Sequence, residues 1–336
     1  MTSTEYVLDK NNQLVVVYLS QFGCLEYTET ILKGLQHMDP FIICCKENEN
    51  RFSEYKSYAI ETPKTKWSMA IESVSFPKKV SALMNKLKKD NPIELLIPAF
   101  HPWNNLFINW AYNNGISNSL VVHDFYTHKG ESSKLIESLQ RKAISAATRV
   151  IFLSKAVKDQ ATKAIGSIKN YTVIPHPIID AGIINSLPYN PKPNLLFLGR
   201  GRTYKGLNLL IEAIEDLPIT QLTIAGELGM NIPKHPKLNI INKYLSKEEI
   251  KELLSTHEIL VLPYTEASQS GILTLGISAK MVMVITAVGG LPEQLDKHMA
   301  IWVEPTTESI KAGLWQTIEN EEDYSRVKSV ISKHKN

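Results

Sequence analysis

Between Pro263 and Leu273 the chain reads Pro-Tyr-Thr-Glu-Ala-Ser-Gln-Ser-Gly-Ile-Leu, with one carboxylate, Glu266, among hydroxyls, an amide and a glycine. The apolar run Glu258–Leu262 before it reads as a buried strand, and Leu273–Lys280 after it reads as a helix. In open parallel α/β sheets a ligand lies outside the carboxyl ends of the strands, where a loop opens a helix and free backbone amides point outward. Ser270-Gly271 can supply such amides. A carboxylate in that place suits neutral sugar hydroxyls better than phosphate. The plainer alternative makes Glu266 a solvated loop residue and Ser270 a helix cap.

A second stretch has complementary chemistry. The apolar strand Asn194–Leu198 ends in Gly199-Arg200-Gly201-Arg202-Thr203-Tyr204-Lys205-Gly206, ahead of a helix patterned by Leu207, Leu209, Leu210, Ile211 and Ile214. Glycines let the backbone turn tightly, while Arg200 brings a planar fork and Lys205 a point charge, both suited to a diphosphate. Two basic residues on a solvated loop are the alternative.

The elements that must position these loops alternate strand and helix. Strands are expected at Leu14–Leu19, Phe41–Cys45, Ile93–Pro98, Leu120–Val122, Val150–Leu153 and Tyr171–Ile174. Helices are expected at Leu25–His37, near Pro77–Asp90, at Trp103–Asn113 and Ser132–Ala147, with a short one capped by Ser154. A polar stretch without clear period follows Cys45. Pro177, Pro188 and Pro191, between Pro175 and Pro193, mark a linker, which divides the chain into residues 1–175, a linker 176–193 and residues 194–336. The second part repeats the alternation near Leu195–Leu198, Gln221–Ala225, Leu238–Ile241, Ile259–Leu262 and Val282–Thr286. Ser246-Lys-Glu-Glu249 is a capping box, and two amphipathic helices follow Thr306. This is the pattern of two doubly wound parallel sheets.

A chain of 336 residues, 43% hydrophobic, can build two domains with full cores. Cys24, Cys44 and Cys45 lack metal-ligand spacing and read as free thiols in a reduced compartment. Without a membrane-length apolar run or a signal-like start, the expectation is a cytoplasmic protein, or one held loosely on a membrane from that side. Net charge is +3, and the surplus is densest in Lys56–Lys89, where eight lysines face only Glu61 and Glu72. Such a segment, carrying Trp67, Met69 and Phe76, suits anionic headgroups, or is simply a solvated helix face. Its aromatic residues do not interleave with charge as in a nucleic-acid stacking platform, so no nucleic-acid partner is expected.

Gly-Arg-x-x-x-Tyr-Lys-Gly, then Leu222-Thr223-Ile224-Ala225-Gly226-Glu227, then Pro-Tyr-Thr-Glu-Ala-Ser-Gln-Ser-Gly, then Val288-Gly289-Gly290-Leu291-Pro292-Glu293, in that order, resembles the carboxyl-terminal half of a family-four glycosyltransferase. In the amino-terminal half the resemblance is looser. It implies a GT-B fold, two Rossmann-like domains facing a cleft with a terminal helix crossing back. The implied activity is retaining transfer of a hexose from a UDP- or GDP-sugar to a glycan or lipid-linked glycan acceptor, and the Glu-Ala-Ser-Gln-Ser variant is similar to members that build bacterial surface polysaccharides. By the same resemblance Arg200 and Lys205 neutralise the diphosphate, and Glu266 accepts from donor-sugar hydroxyls. The amides of Ser270, Gly271 and Ile272 meet sugar or phosphate, Tyr244-Leu245 holds the base, and Gly23 lies near the phosphates. Many members hold the ribose with a second glutamate eight positions after the first; here Thr274 stands there and is expected to give the donor one hydroxyl hydrogen bond in place of a charge-assisted pair. His123 matches the family histidine near the anomeric centre, and Asp124, His128 and Lys129, on the same loop, are expected to touch the acceptor. Phe100-His101-Pro102-Trp103 ends another strand and either lines the acceptor pocket or starts a helix. There is no Asp-x-Asp triplet, so no metal cofactor is expected. The alternatives are a nucleotide-sugar 2-epimerase of the same fold and a non-catalytic sugar-nucleotide binding or scaffold protein.

Overall fold

A computed structural model describes residues 12–20, 24–62, 66–126 and 134–334, without the side chains of 66–74. Two compact units divide at Pro175 and His176. In the first, chain order is β1 (Gln13–Tyr18), α1 (Leu25–Gly34), β2 (Phe41–Cys45), β3 (Ser57–Ile60), α2 (Lys66–Asp90), β4 (Ile93–Ile97), α3 (Asn104–Asn113), β5 (Asn118–Val122), α4 (Lys134–Ala146), β6 (Arg149–Phe152), α5 (Lys155–Ile165) and β7 (Tyr171–Val173). The second holds β8 (Asn194–Leu198), α6 (Leu207–Ala213), β9 (Gln221–Gly226), β10 (Leu238–Asn242), α7 (Lys247–Thr256), β11 (Ile259–Leu262), α8 (Gly271–Ser278), β12 (Val282–Thr286), α9 (Leu291–Gln294), β13 (Ile301–Val303), α10 (Thr307–Glu319) and α11 (Glu321–Lys333).

The described strands form two sheets ordered β3-β2-β1-β4-β5-β6-β7 and β10-β9-β8-β11-β12-β13. Every pairing is parallel. The winding reverses between β1 and β4 in the first sheet and between β8 and β11 in the second. Those reversals splay the loops apart and are where such sheets bind ligands.

Burial on both faces explains the apolar runs. In β8, Leu195 and Phe197 join one core with α6 and α10, while Leu196 and Leu198 join another with α7 and α8. In β1, Val15 and Val17 face α2, α3 and α4, while Leu14, Val16 and Tyr18 face α1. The terminal helix α11 buries Tyr324, Val327 and Ile331 in the second unit's own cores.

The segment after the first unit is pinned by Asn185. Its amide nitrogen donates to the carbonyls of Leu254 (2.7 Å) and His257 (2.8 Å), and its backbone N–H donates to Ala279 O (2.7 Å). From the other side Lys328 Nζ donates to Asn185 O (2.8 Å), Asn185 Oδ1 (3.0 Å) and Lys280 O (3.0 Å).

Three expectations need correction. Helix α2 begins at Lys66, well before Pro77, which lies inside it. Proline removes one donor, yet Phe76, Val80 and Met84 bury against the sheet, and that packing carries the helix through. The polar stretch after Cys45 contains a 3-10 segment, Lys46–Phe52, and the edge strand β3. The short edge strand β13 likewise gives no period of its own. Among the described residues, no helix is long and apolar enough to cross a membrane.

Candidate functional site

Three loops leave the carboxyl ends of β8, β11 and β12, adjacent strands of the second sheet. They are fixed to one another mainly through backbone. Gly206, at φ 65°, lies so close to the second loop that a β-carbon would sit 1.9 Å from Pro263 O. Gly289, at φ 54°, approaches Ala267 O with only 1.7 Å for the same atom. Both positions require glycine, for conformation and for space. Hydrogen bonds complete the joints: Thr265 N–H donates to Tyr204 O (2.8 Å) and Gly290 N–H to Ala267 O (3.0 Å).

Lys205 sits where the first two loops cross, at the β8/β11 reversal. Its Nζ donates to Tyr264 Oη (2.9 Å) and lies 4.5 Å from the centre of that ring. Tyr264 is 1% exposed, and its hydroxyl lies 3.4 Å from Ser270 Oγ. Ser270 is the N-cap of α8, accepting from Leu273 N–H at 3.2 Å. Gln294, the last residue of α9 after the third loop, grips the main chain of Ser270 twice, accepting from its N–H (2.7 Å) and donating to its carbonyl (3.4 Å). The amides of Gly271 and Ile272 open the helix, where no intrahelical acceptor exists. A side-chain cation and a helix N-terminus are thus held together, a pairing with the chemistry of an anion site.

Around this point Arg200 is exposed on the first loop, and Glu266 is half-buried on the second. Gln269 Oε1 is buried without a partner among the described residues. Tyr244, 65% exposed, and Leu245 follow β10, two strands away from β8. Thr274 departs from the expectation. It is 1% exposed, its hydroxyl donates to Gly271 O (2.8 Å) and accepts from Ile179 N–H (3.4 Å). That hydroxyl ties α8 to the preceding segment and does not line the loop surface. Tyr264, Gln269 and Gln294 were not singled out from the sequence. Tyr264 and Gln269 lie inside the quoted motif and Gln294 directly after the last one, but their partners are distant in sequence.

In the first unit, His101 follows β4 and His123 follows β5, neighbouring strands beside the other reversal. His123 is 6% exposed. Its Nε2 lies 2.8 Å from Pro98 O, so that nitrogen carries the proton, and its ring meets Tyr27 edge-on at 4.5 Å. Burial depresses its pKa, which keeps the ring neutral. His101 accepts from Trp103 N–H through Nδ1 (3.4 Å), and burial lowers its pKa to about 4. Asp124 is half-buried, and its carbonyl accepts from Gln140 Nε2. Gly23, His128 and Lys129 lie outside the described residues. Among the described residues no three His, Cys, Asp or Glu are grouped to hold a metal ion.

Comparison with known proteins gives this geometry a context. No protein of curated function matches the chain in sequence. Among solved structures, sucrose-phosphate synthase from Thermosynechococcus elongatus is similar with a TM-score of 0.74 at 11% identity, covering 96% of this chain and 94% of that one. Anabaena HepE in complex with UDP and glucose gives 0.74 at 12% identity, covering 95% of each chain. A glycosyltransferase from Rickettsia africae gives 0.70 at 15% identity, covering 95% and 92%. The family described as glycosyl transferases group 1 matches residues 192–320, the span that holds all three loops. The chain therefore has the GT-B fold, and its residues 192–320 match the glycosyl transferases group 1 family.

Proposed function

We propose that this protein is a retaining glycosyltransferase that moves a hexose from a nucleotide-diphosphate sugar to a glycan or lipid-linked glycan acceptor in cell-surface polysaccharide synthesis. The observation that carries this reading is the Lys205 ammonium fixed beside the start of α8 at the β8/β11 reversal. Charge grows on the diphosphate as the glycosidic bond breaks, and fixed donors aimed at that charge lower the barrier without reorganisation. Lys205, Arg200 and the amides of Gly271 and Ile272 take that role without a metal. Glu266 accepts from hydroxyls of the donor sugar. The departing diphosphate oxygen takes the proton of the attacking acceptor hydroxyl on the same face, so orientation replaces a protein base.

In the first unit His123, kept neutral by burial, takes a polar role in the transfer, and His101 and Asp124 serve acceptor binding. HepE was solved with UDP and glucose, which supports UDP-glucose as the first donor to try. The exposed lysines of α2, among them Lys78, Lys79, Lys86, Lys88 and Lys89, support salt-sensitive contact with an anionic membrane on its cytoplasmic face.

The test is thermal stabilisation by a panel of UDP- and GDP-sugars. One nucleotide should raise the midpoint of the wild type, and neither Lys205→Ala nor Glu266→Ala should respond fully. Stabilisation by none of them overturns the donor site. Donor consumed without any added acceptor points instead to the epimerase.

A further inference from the structure

We propose that Tyr264 is the positioning residue of this site: its hydroxyl fixes Lys205 at the start of α8, so that the ammonium and the helix amides address one diphosphate together. This rests on the donor-site reading above. A lysine ammonium is a compact, strongly hydrated charge on a flexible stem, and on an open loop it would wander through solvent. Here it is boxed. Tyr264 Oη accepts from Nζ at 2.9 Å and the same ring lies beneath it at 4.5 Å. Gly199 is also close, and even a β-carbon there would come within 3.1 Å of Nζ.

The proton arrangement follows from the donors. Lys205 has only hydrogens to give, so Tyr264 Oη accepts from it and directs its own hydrogen elsewhere. Ser270 Oγ, 3.4 Å away, is the acceptor in reach, and that oxygen also caps Leu273 N–H. The phenol is therefore a bridge from the cation to the helix cap. Its ring has no freedom to drift, being 1% exposed, and the Tyr264 carbonyl accepts from Thr286 Oγ1 at 2.6 Å. Nothing in the packing calls for the hydroxyl. Phenylalanine would fill the same volume, and what it would lose is the link between Lys205 and Ser270.

Calorimetric binding of UDP, GDP, UMP and GMP is compared for the wild type, Tyr264→Phe, Lys205→Met, the double variant and Lys205→Arg, with thermal midpoints recorded for each. Tyr264→Phe should weaken the preferred diphosphate about tenfold while the matching monophosphate stays within about twofold. In the Lys205→Met background the same change should do nothing, because the residue acts only through the lysine. Lys205→Arg keeps the charge but does not fit the box, and should bind diphosphate as weakly as Lys205→Met. Additive losses, or equal losses for mono- and diphosphate, overturn the positioning role and leave the donor site standing. A wild type that binds no nucleotide diphosphate overturns both. If Tyr264→Phe fails to fold, Lys205→Arg decides alone, and wild-type binding by that variant overturns the proposal.

Discussion

Gly206 and Pro263 meet backbone to backbone, with 1.9 Å between the place of a β-carbon on the glycine and the proline carbonyl oxygen. The loop that carries Lys205 is seated on the loop that carries Glu266, and no side chain fits between them. Gly206→Ala combines a positive φ with that overlap. It should lower stability by more than about 2 kcal/mol in urea denaturation and abolish stabilisation by nucleotide even in the folded fraction.

Gln294, at the end of α9, anchors the start of α8. Gln294→Met keeps the volume, leaves Ser270 N–H without its partner and leaves the Ser270 carbonyl only the Thr274 N–H. The expected loss is about 1–2 kcal/mol, the cost of an unsatisfied part-buried amide. A weaker diphosphate affinity should accompany it, since the amides of Gly271 and Ile272 move with Ser270.

Thr274 separates two readings of one position. If it held the ribose, Thr274→Val would weaken every nucleoside ligand. In the structure its hydroxyl serves Gly271 and Ile179. The expected outcome is a stability loss of about 1 kcal/mol with nucleotide affinity within about twofold of wild type.

Lys328 makes a prediction in pH. Desolvation lowers its pKa from 10.5 to about 8. In the folded state it then holds its proton less well than in the unfolded state, so its cost to stability is full below pH 8, fades as pH rises, and is gone above the unfolded value. Denaturation midpoints of wild type minus Lys328→Met should therefore climb from pH 8 towards 10. A flat difference would mean that the three acceptors around Nζ hold its charge as well as water does.

Histidines should leave no mark on the activity profile above neutrality. Burial depresses the pKa of His123 and of His101, the latter to about 4, so both stay neutral through the working range. A rate profile for the chosen donor should show no limb between about pH 6.5 and 8, and His101→Gln should leave its shape unchanged. Stability should fall as pH drops from 6.5 towards 4, where folded His101 resists the proton that the unfolded chain accepts.

What the sequence discloses follows from how each element is buried. Ile259–Leu262 and Val282–Thr286 are central strands covered on both faces, and their unbroken apolar runs say so. Ser246 and Ser154 announce their helices because a cap is a local hydrogen bond, and both caps form. Edge strands are harder. β3 exposes Ser57 and Tyr58, so it shows neither a run nor an alternation. In the loops, residue types reveal which chemistry is at hand but not which groups the fold uses for itself. The partner of Thr274 lies in the segment before β8, that of Tyr264 on the β8 loop and that of Gln294 at the start of α8. Such pairings are set by packing between distant stretches, and no spacing within a motif encodes them.

Gly206 and Gly289 also bear on how this site can change over time. Each loop rests on the next through main-chain atoms: Gly289 meets Ala267 and Gly206 meets Pro263, and neither joint uses a side chain that would touch a ligand. New specificity is then reached by exchanging rim side chains that meet the donor sugar, such as Glu266, over a frame set by backbone contacts. Under selection for different sugars, variation should concentrate at those rim positions while the two glycines stay fixed.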